Sequence, residues 1–269
     1  MILKSVSGVS WLLRDANKNK ITSISQKFSI SELLSKLIIL RNVDNHEILS
    51  FLNPQIDNIL QKQYPLKDLV NGVNFLSDKI IAKKTIGIFG DYDVDGASAT
   101  ALLIKFFKDI NCKYEFFIPD RNLDGYGPSI ESFKKLINKK IDIIITVDCG
   151  TLSYDAIEYA KKKQIDTIVL DHHQSELKLP NAISLINPNR YDDSSGLNYL
   201  CATAVVFIYL QNLIKKLKKL KWFESEKIIE PNIIKYLDLV ALATICDVVP
   251  LKGINRSFVK QGLEILKKR

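Results

Sequence analysis

At 269 residues the chain can bury a sizeable core as one large domain or two small ones, and 46% hydrophobic with 25% charged residues is ordinary for a globular protein. No apolar run is long enough to span a bilayer and none is bounded like a signal peptide, so the expectation is a cytoplasmic protein without a membrane role. Cys112, Cys149, Cys201 and Cys246 are widely spaced and form no CxxC pair, which argues against a disulfide scaffold or zinc knuckle. The net charge of +8 suits a polyanionic partner such as nucleic acid, although a composition rich in Lys, Ile and Asn produces such a charge without selection for binding.

Residues 28–83 carry helical spacing: SISELLSKLIIL opens on serines suited to capping, and NGVNFLSDKIIAKK keeps the same apolar period. From residue 85 the texture changes. Short β-branched runs, TIGIFGD (85–91), YEFFIPD (114–120), IDIIITVD (141–148) and DTIVLD (166–171), alternate with the helical stretches ASATALLIKFFKDI, PSIESFKKLINKK and SYDAIEYAKKKQ. A fifth strand is expected in AISLINP (182–188), and helices in YLCATAVVFIYLQNLIKKLKK, NIIKYLDLVALATI and RSFVKQGLEILKKR. The order predicts an α/β fold: a mostly parallel sheet of five or more strands with helices on both faces, preceded and followed by helical segments.

Each of the first four strands ends in aspartate: Asp91, Asp120, Asp148 and Asp171. One such aspartate is most often a helix cap. Four in succession deliver carboxylates to the sheet edge where open parallel sheets bind ligands. The first belongs to GDYDVDGASAT (90–100), whose Asp91, Asp93 and Asp95 need a cation among them. An EF-hand is excluded, because the twelfth loop position is Leu102 and a strand precedes the loop. A haloacid-dehalogenase-type nucleophile loop would leave VLDHHQ (169–174) unexplained. There Asp171, His172 and His173 follow a strand directly, so that one imidazole can bind metal while its neighbour serves a phosphate. His46, the third histidine, is expected at an ordinary surface position. TVDCG (146–150) projects Asp148 where a glycine lets the backbone turn tightly, and Asp247 interrupts the apolar ALATICDVVPL. IPDRNLDGYG (118–127) offers Arg121 and Asn122 for substrate positioning. Carboxylates with imidazoles and no thiolate cluster favour Mn²⁺ or Mg²⁺ over structural zinc, and a pair of ions about 3.5–4 Å apart suits phosphoester hydrolysis.

In this order and spacing, DYDVDG, DGYG, VDCG, LDHH and ATICDVVPL, with INPNR (186–190) and NRSFVKQGL, resemble the DHH phosphoesterase superfamily, and within it the single-strand-specific 5′→3′ DNA exonucleases. The resemblance runs from about residue 30 to the end. It implies two ions, Mn²⁺ or Mg²⁺, held by Asp91, Asp93, Asp95, Asp148, His172 and Asp247, with Asp148 bridging. It also implies that His173 contacts the scissile phosphate, that Asp171 orients the histidines, and that 5′-mononucleotides are released in repair and recombination. Catalytic roles thus fall to His173, Asp148 and Asp171, and substrate binding to Arg121, Asn122 and His173. The partners implied are single-stranded DNA and a single-strand-binding protein, with the chain a monomer. The domain plan implied is a helical region, 1–83, packed on a catalytic domain, 84–250, with 251–269 beginning a connecting helix. The family's second domain, with its glycine-rich motif, and its oligonucleotide-binding fold lie outside this sequence. Two other readings stay open: a DHH phosphoesterase of small substrates (nanoRNA, 3′-phosphoadenosine phosphate or pyrophosphate), and an inactive scaffold. LCATAVVF (200–207) departs from the family's glycine-bearing stretch but keeps small residues. KKLKKLKW (215–222) is expected as a solvated helix face in preference to a phosphate-binding rim, and Phe116, Phe117, Tyr126 and Tyr191 are candidates for stacking on bases.

Overall fold

The computed structural model describes residues 2–56 and 64–269, in two compact units, residues 1–55 and 56–269. Part of the stretch expected to be helical, residues 57–63, lies outside the described residues. In the first unit a hairpin of β1 (Ile2–Lys4) and β2 (Ser10–Leu12) precedes helices Lys18–Phe28, Glu32–Leu40 and Ile48–Leu52. Ser31 caps the second helix, its Oγ accepting from the Leu34 N–H at 3.2 Å, as the serine-led pattern suggested. Ile24, Ile38 and Ile48 form the small core. The hairpin departs from the helical region expected over 1–83, and with most of the Lys18–Phe28 helix it lies ahead of residue 28, where the helical spacing begins. All three residues of β2 are exposed, so no in–out alternation marked it as a strand.

The second unit holds a five-stranded parallel sheet of β3 (Ile86–Phe89), β4 (Tyr114–Phe117), β5 (Ile143–Val147), β6 (Asp166–Leu170) and β7 (Ser184–Ile186). Alternate residues of each strand serve opposite cores. Ile86, Ile88, Ile143, Ile145, Val147, Ile168, Leu170 and Ile186 pack with helices Leu69–Ile81, Val94–Asp109, Ala202–Lys219 and Leu237–Cys246. Phe89, Ile144, Val169 and Leu185 pack with Phe133 and Leu136 of helix Ile130–Ile137, and with Ala156, Ile157 and Ala160 of helix Tyr154–Lys162. Helices therefore cover both faces, as the βα alternation predicted. The stretch NIIKYLDLVALATI divides into a 3₁₀ turn, Ile233–Tyr236, and a helix, Leu237–Cys246, and a last helix spans Gly253–Leu266. No helix among the described residues is long and apolar enough to cross a membrane.

The strand order is β4-β3-β5-β6-β7. The chain leaves β3 in one direction to form β4, then returns to the other side of β3 to form β5. The switch point of the sheet, where a crevice opens beyond the carboxyl ends, lies between β3 and β5. Asp91 follows the first of these strands and Asp148 the second.

Candidate metal centre

After β3 the chain turns sharply into helix Val94–Asp109. Asp93 is the N-cap, its Oδ1 accepting from the Gly96 N–H at 2.9 Å, so the helix-capping role and a site role coexist in one carboxylate. Gly96 is required by space: a Cβ there would lie 2.6 Å from the Asp91 Cβ and 2.7 Å from the Asp91 carbonyl oxygen. Gly96→Ala is therefore expected to cost about 1–3 kcal/mol of stability, as overpacking does, and to displace Asp91; chemical denaturation would measure it. A loss under 0.5 kcal/mol, the ordinary surface value, would show that the loop yields freely.

Asp95, on the first turn of that helix, is 1% exposed. It accepts from the N–H groups of Ala202 (2.6 Å) and Thr203 (2.8 Å) and from the Thr203 hydroxyl (2.6 Å), while that hydroxyl also lies 2.9 Å from the Asp95 carbonyl oxygen. These donors are the start of helix Ala202–Lys219, which lacks a side-chain cap of its own. Asp95 thus caps a second helix in trans, and the helix end offsets the cost of burying its charge. The small residues of LCATAVVF give the carboxylate room to approach. Thr203→Val removes the hydroxyl and is expected to weaken Mn²⁺ binding about tenfold, with Thr203→Ser restoring it. Equal affinity in all three chains, by titration calorimetry, would remove Thr203 from the site.

Beyond β5, Asp148 sits in a left-handed conformation (φ 61°) and Gly150 follows at φ 113°, where a Cβ would meet Thr146 Oγ1 at 2.5 Å. Beyond β6, Asp171 gathers four donors. Oδ1 accepts from the backbone N–H groups of His172 (2.7 Å) and His173 (3.2 Å) and from His173 Nδ1 (2.8 Å), and Oδ2 accepts from the Thr151 N–H at 3.0 Å. Burial pushes the Asp171 carboxyl up, but the His173 and Thr151 hydrogen bonds together outweigh it and hold the group well below the usual carboxylate range. Asp171 lies outside the groups of converging donors and fixes the loop that carries both histidines.

The two imidazole rings stand edge-to-face, centroids 4.7 Å apart, and their nitrogens meet different partners. His172 Nδ1 lies 3.1 Å from the Leu200 carbonyl oxygen, which can only accept, so Nδ1 carries a proton and Nε2 is the nitrogen left to the cluster. That nitrogen faces Asp148 Oδ1 at 3.2 Å and Asp95 Oδ2 at 3.8 Å, so a positive charge, its own proton or a metal ion, belongs among the three. His173 gives Nδ1 to Asp171 and sets Nε2 3.1 Å from the Tyr126 hydroxyl; the Asp171 hydrogen bond, against desolvation, raises its pKa above the usual imidazole value.

Ligand atoms of Asp91, Asp93 and Asp148 lie within 4.8 Å of one another, as do those of Asp95, His172 and Asp247, and those of Asp148, His172 and His173. All six residues expected to hold ions thus converge, with Asp148 between the groups. Asp91 Oδ1, Asp148 Oδ1 and Asp247 Oδ2 are buried without hydrogen-bond partners. Burial, then the charges of Asp95, Asp93 and Asp171, push the Asp148 carboxyl up to about 10. Burial also raises Asp91 and Asp247. Orphaned anionic oxygens and one oriented imidazole are the donor set of a hard divalent cation, so Mn²⁺ or Mg²⁺ fits these residues.

The loop after β4 behaves differently. Asp120 is exposed and caps its own turn, Oδ1 accepting from the Asn122 and Leu123 N–H groups; it does not join the other three strand-end aspartates. Asn122 is exposed, and the Arg121 guanidinium lies 5.7 Å above the Tyr92 ring. Tyr92 meets Tyr126 edge-on at 6.4 Å, and Tyr126 meets His173 at 5.9 Å, so Arg121 is linked to the cluster through two aromatic rings. Phe117 packs into the core while Phe116 and Tyr191 are exposed. The lysines of KKLKKLKW stand at the far end of the helix that begins at Asp95, roughly 20 Å away at 1.5 Å per residue, and Lys218 pairs with Glu230 at 2.8 Å. His46 is exposed in the first unit.

Several residues that build the site were not singled out in the sequence for the work they do. Asn187, fully buried, donates to the His173 carbonyl oxygen and to Thr151 Oγ1, both at 2.8 Å, and Asn189 donates to the His172 carbonyl oxygen at 2.5 Å. Together they clamp the histidine loop to β7 and to the loop after β5. INPNR was the available signal, but its partners are backbone atoms 14 and 17 residues away, which no spacing rule exposes.

Fold and site together define an α/β protein with a carboxylate–histidine centre for divalent cations at the switch point of its sheet. The model of the DHH family, N-terminal domain, matches residues 85–244, and the chain belongs to that family. Single-stranded-DNA-specific exonuclease RecJ of Haemophilus influenzae is 33% identical over 258 residues, an alignment covering 94% of this chain and 43% of that protein. RecJ of Bacillus subtilis is 27% identical over 262 residues, covering 97% of this chain and 31% of the relative. A crystal structure of exonuclease RecJ bound to manganese matches with a TM-score of 0.63 at 30% identity, covering 74% of this chain and 48% of that one. The chain therefore spans less than half the length of these relatives.

Proposed function

We propose that the chain carries the catalytic site of a metal-dependent 5′→3′ exonuclease that hydrolyses single-stranded DNA to 5′-mononucleotides, acting in the cytoplasm in repair and recombination. The observation that carries this reading is the convergence of Asp91, Asp93, Asp95, Asp148, His172 and Asp247 with three buried carboxylate oxygens unpartnered. The kinship with RecJ supports the substrate. Asp91, Asp93 and Asp148 would hold one ion and Asp95, His172 and Asp247 the other, with Asp148 near both because it also converges with His172. Mn²⁺ or Mg²⁺ bound there supplies the positive charge that activates water and neutralises the phosphate. The protein's own groups orient and stabilise. His173, held by Asp171 and favoured as imidazolium, turns Nε2 away from the cluster to donate to a phosphate oxygen. Tyr126, whose hydroxyl shares that nitrogen, and Arg121 line the approach, where a cation and aromatic rings suit a single strand. On this reading the chain works as a monomer, with a single-strand-binding protein as partner on the substrate.

The test is nucleotide release from 5′-labelled single-stranded and duplex DNA with Mn²⁺, beside a dinucleotide and 3′-phosphoadenosine 5′-phosphate. Mn²⁺-dependent release of mononucleotides from single strands alone is expected. Turnover confined to the small substrates would replace the exonuclease by a small-molecule phosphoesterase.

A further inference from the structure

A cleft of about 700 Å³ opens beside the metal centre on the other face of the sheet. His173 stands at its junction with the cluster, its Nδ1 3.9 Å from Asp148 Oδ1. Ile130, Glu131, Thr151, Leu152 and Asp155 are among the residues that line it. Its volume is in the range of small-ligand sites, roughly 300–1,000 Å³. Its chemistry is wrong for phosphate. The lining contains no lysine or arginine, and its three carboxylates, Glu131, Asp155 and Asp171, would repel the anion. Polar groups in it are already engaged: Thr151 Oγ1 accepts from Asn187, and the Ser129 hydroxyl is committed to the cap of helix Ile130–Ile137. Most of what remains to an uncharged ligand is apolar surface, with Ile130 37% and Leu152 49% exposed.

We infer that this cleft is a nucleobase subsite: it takes the base of a nucleotide flanking the scissile phosphate. The inference rests on the phosphodiesterase reading above, and deepens it by dividing the site into a metal-binding part for phosphate and a largely apolar part, without lysine or arginine, for the base. A phosphodiester held against His173 has one of its nucleosides at the mouth of this cleft. A flat, uncharged, largely apolar ring system matches its walls, whereas a second phosphate does not. Selectivity for a nucleotide over a bare sugar phosphate then resides in Ile130 and Leu152, neither of which is among the ion-binding residues.

The experiment is calorimetric titration of the full chain, with Mn²⁺ present, using deoxyadenosine 5′-monophosphate and 2-deoxyribose 5-phosphate. The nucleotide is expected to bind about tenfold tighter or more, the size of a base contact. Leu152→Gln and Ile130→Gln keep the charge unchanged; each is expected to weaken nucleotide binding several-fold, and the pair about tenfold, with sugar-phosphate binding unaltered. Because either side chain is partly exposed, the fold should survive, which a thermal melt checks. Equal affinity for the two ligands overturns the inference, and so does a double variant that binds the nucleotide as the parent does. Nucleotide release from single strands is scored on the same samples. Release without base-dependent binding removes the cleft alone; base-dependent binding without release supports the cleft and removes the nuclease reading.

Discussion

Asp148→Asn is expected to abolish Mn²⁺-dependent nucleotide release, by about 10²–10³-fold at least, while making the metal-free chain more stable than the parent. The two effects have one cause. Asp148 is 1% exposed, has Asp95, Asp93 and Asp171 as negative neighbours, and leaves Oδ1 without a hydrogen-bond partner. In the absence of a cation its charge is a cost of folding, and asparagine deletes that cost with almost no change of shape. In the proposed site the same charge is a donor to Mn²⁺, and asparagine deletes the attraction. The pH dependence carries a definite sign. Burial and the neighbouring carboxylates raise the Asp148 carboxyl in the folded state to about 10, far above the ordinary range of about 4, so the folded chain binds the extra proton. Its contribution to stability is fully present below about pH 4 and is lost as pH rises toward 10. Without metal, the parent should therefore lose melting temperature with rising pH more steeply than Asp148→Asn. With Mn²⁺, which binds the deprotonated folded site, the order of the two chains should reverse. Melting curves between pH 5 and 9, with chelator and with Mn²⁺, measure all four cases. If the metal-free variant melts no higher than the parent, the carboxylates are not in electrostatic conflict and the case for two ions weakens with it.

Most of the sheet was legible because buried parallel strands are short β-branched runs, and IDIIITVD and DTIVLD can be little else. Their alternation also divides the two cores, with Ile144 on one side and Ile143 and Ile145 on the other. Asp91 and Asp148 were legible for a different reason: an aspartate just beyond β3 or β5 is an aspartate at the switch point, whereas Asp95 stands on a helix, Asp247 at the end of another, and the full set of six came from the family resemblance. Asp120 shows where that reasoning stops. It ends a strand like the others, but β4 is the outer strand, away from the switch point, and its carboxylate is spent on its own turn. Long-range backbone partners were the part the sequence could not disclose. The Leu200 carbonyl that selects the His172 tautomer, and the N–H groups of Ala202 and Thr203 that hold Asp95, carry no side-chain signature. The loss of a glycine in LCATAVVF looked like a departure from family pattern; in the structure, what matters there is a helix end with small side chains.

Asp171→Asn tests how far the site depends on orientation as distinct from ligation. The carboxylate accepts four hydrogen bonds from N–H donors: three at Oδ1 and one at Oδ2. An amide offers one oxygen and turns an NH₂ group toward at least one of those donors. With the oxygen toward the histidines, the Thr151 N–H faces the amide nitrogen; with the amide flipped, both histidine N–H groups and the His173 ring do. Either choice leaves buried donors unpaired, at about 1–3 kcal/mol each. The chemical consequence falls on His173. Without an anionic acceptor at Nδ1 its proton can move to Nε2 in the neutral ring, and the imidazolium loses the partner that favours it. The expected fall in nucleotide release is as much as about 10⁴-fold, comparable to the loss when an orienting aspartate beside a catalytic histidine becomes asparagine. His173→Ala should cost nearly as much, and the double variant little more than either, because the two residues act as one unit. Mn²⁺ affinity discriminates the mechanism: it should fall modestly in Asp171→Asn and hardly at all in His173→Ala, since neither side chain belongs to the six proposed to hold the ions. A collapse of Mn²⁺ binding in His173→Ala would instead make that imidazole a ligand and join the Asp148, His172 and His173 donors in a third ion group.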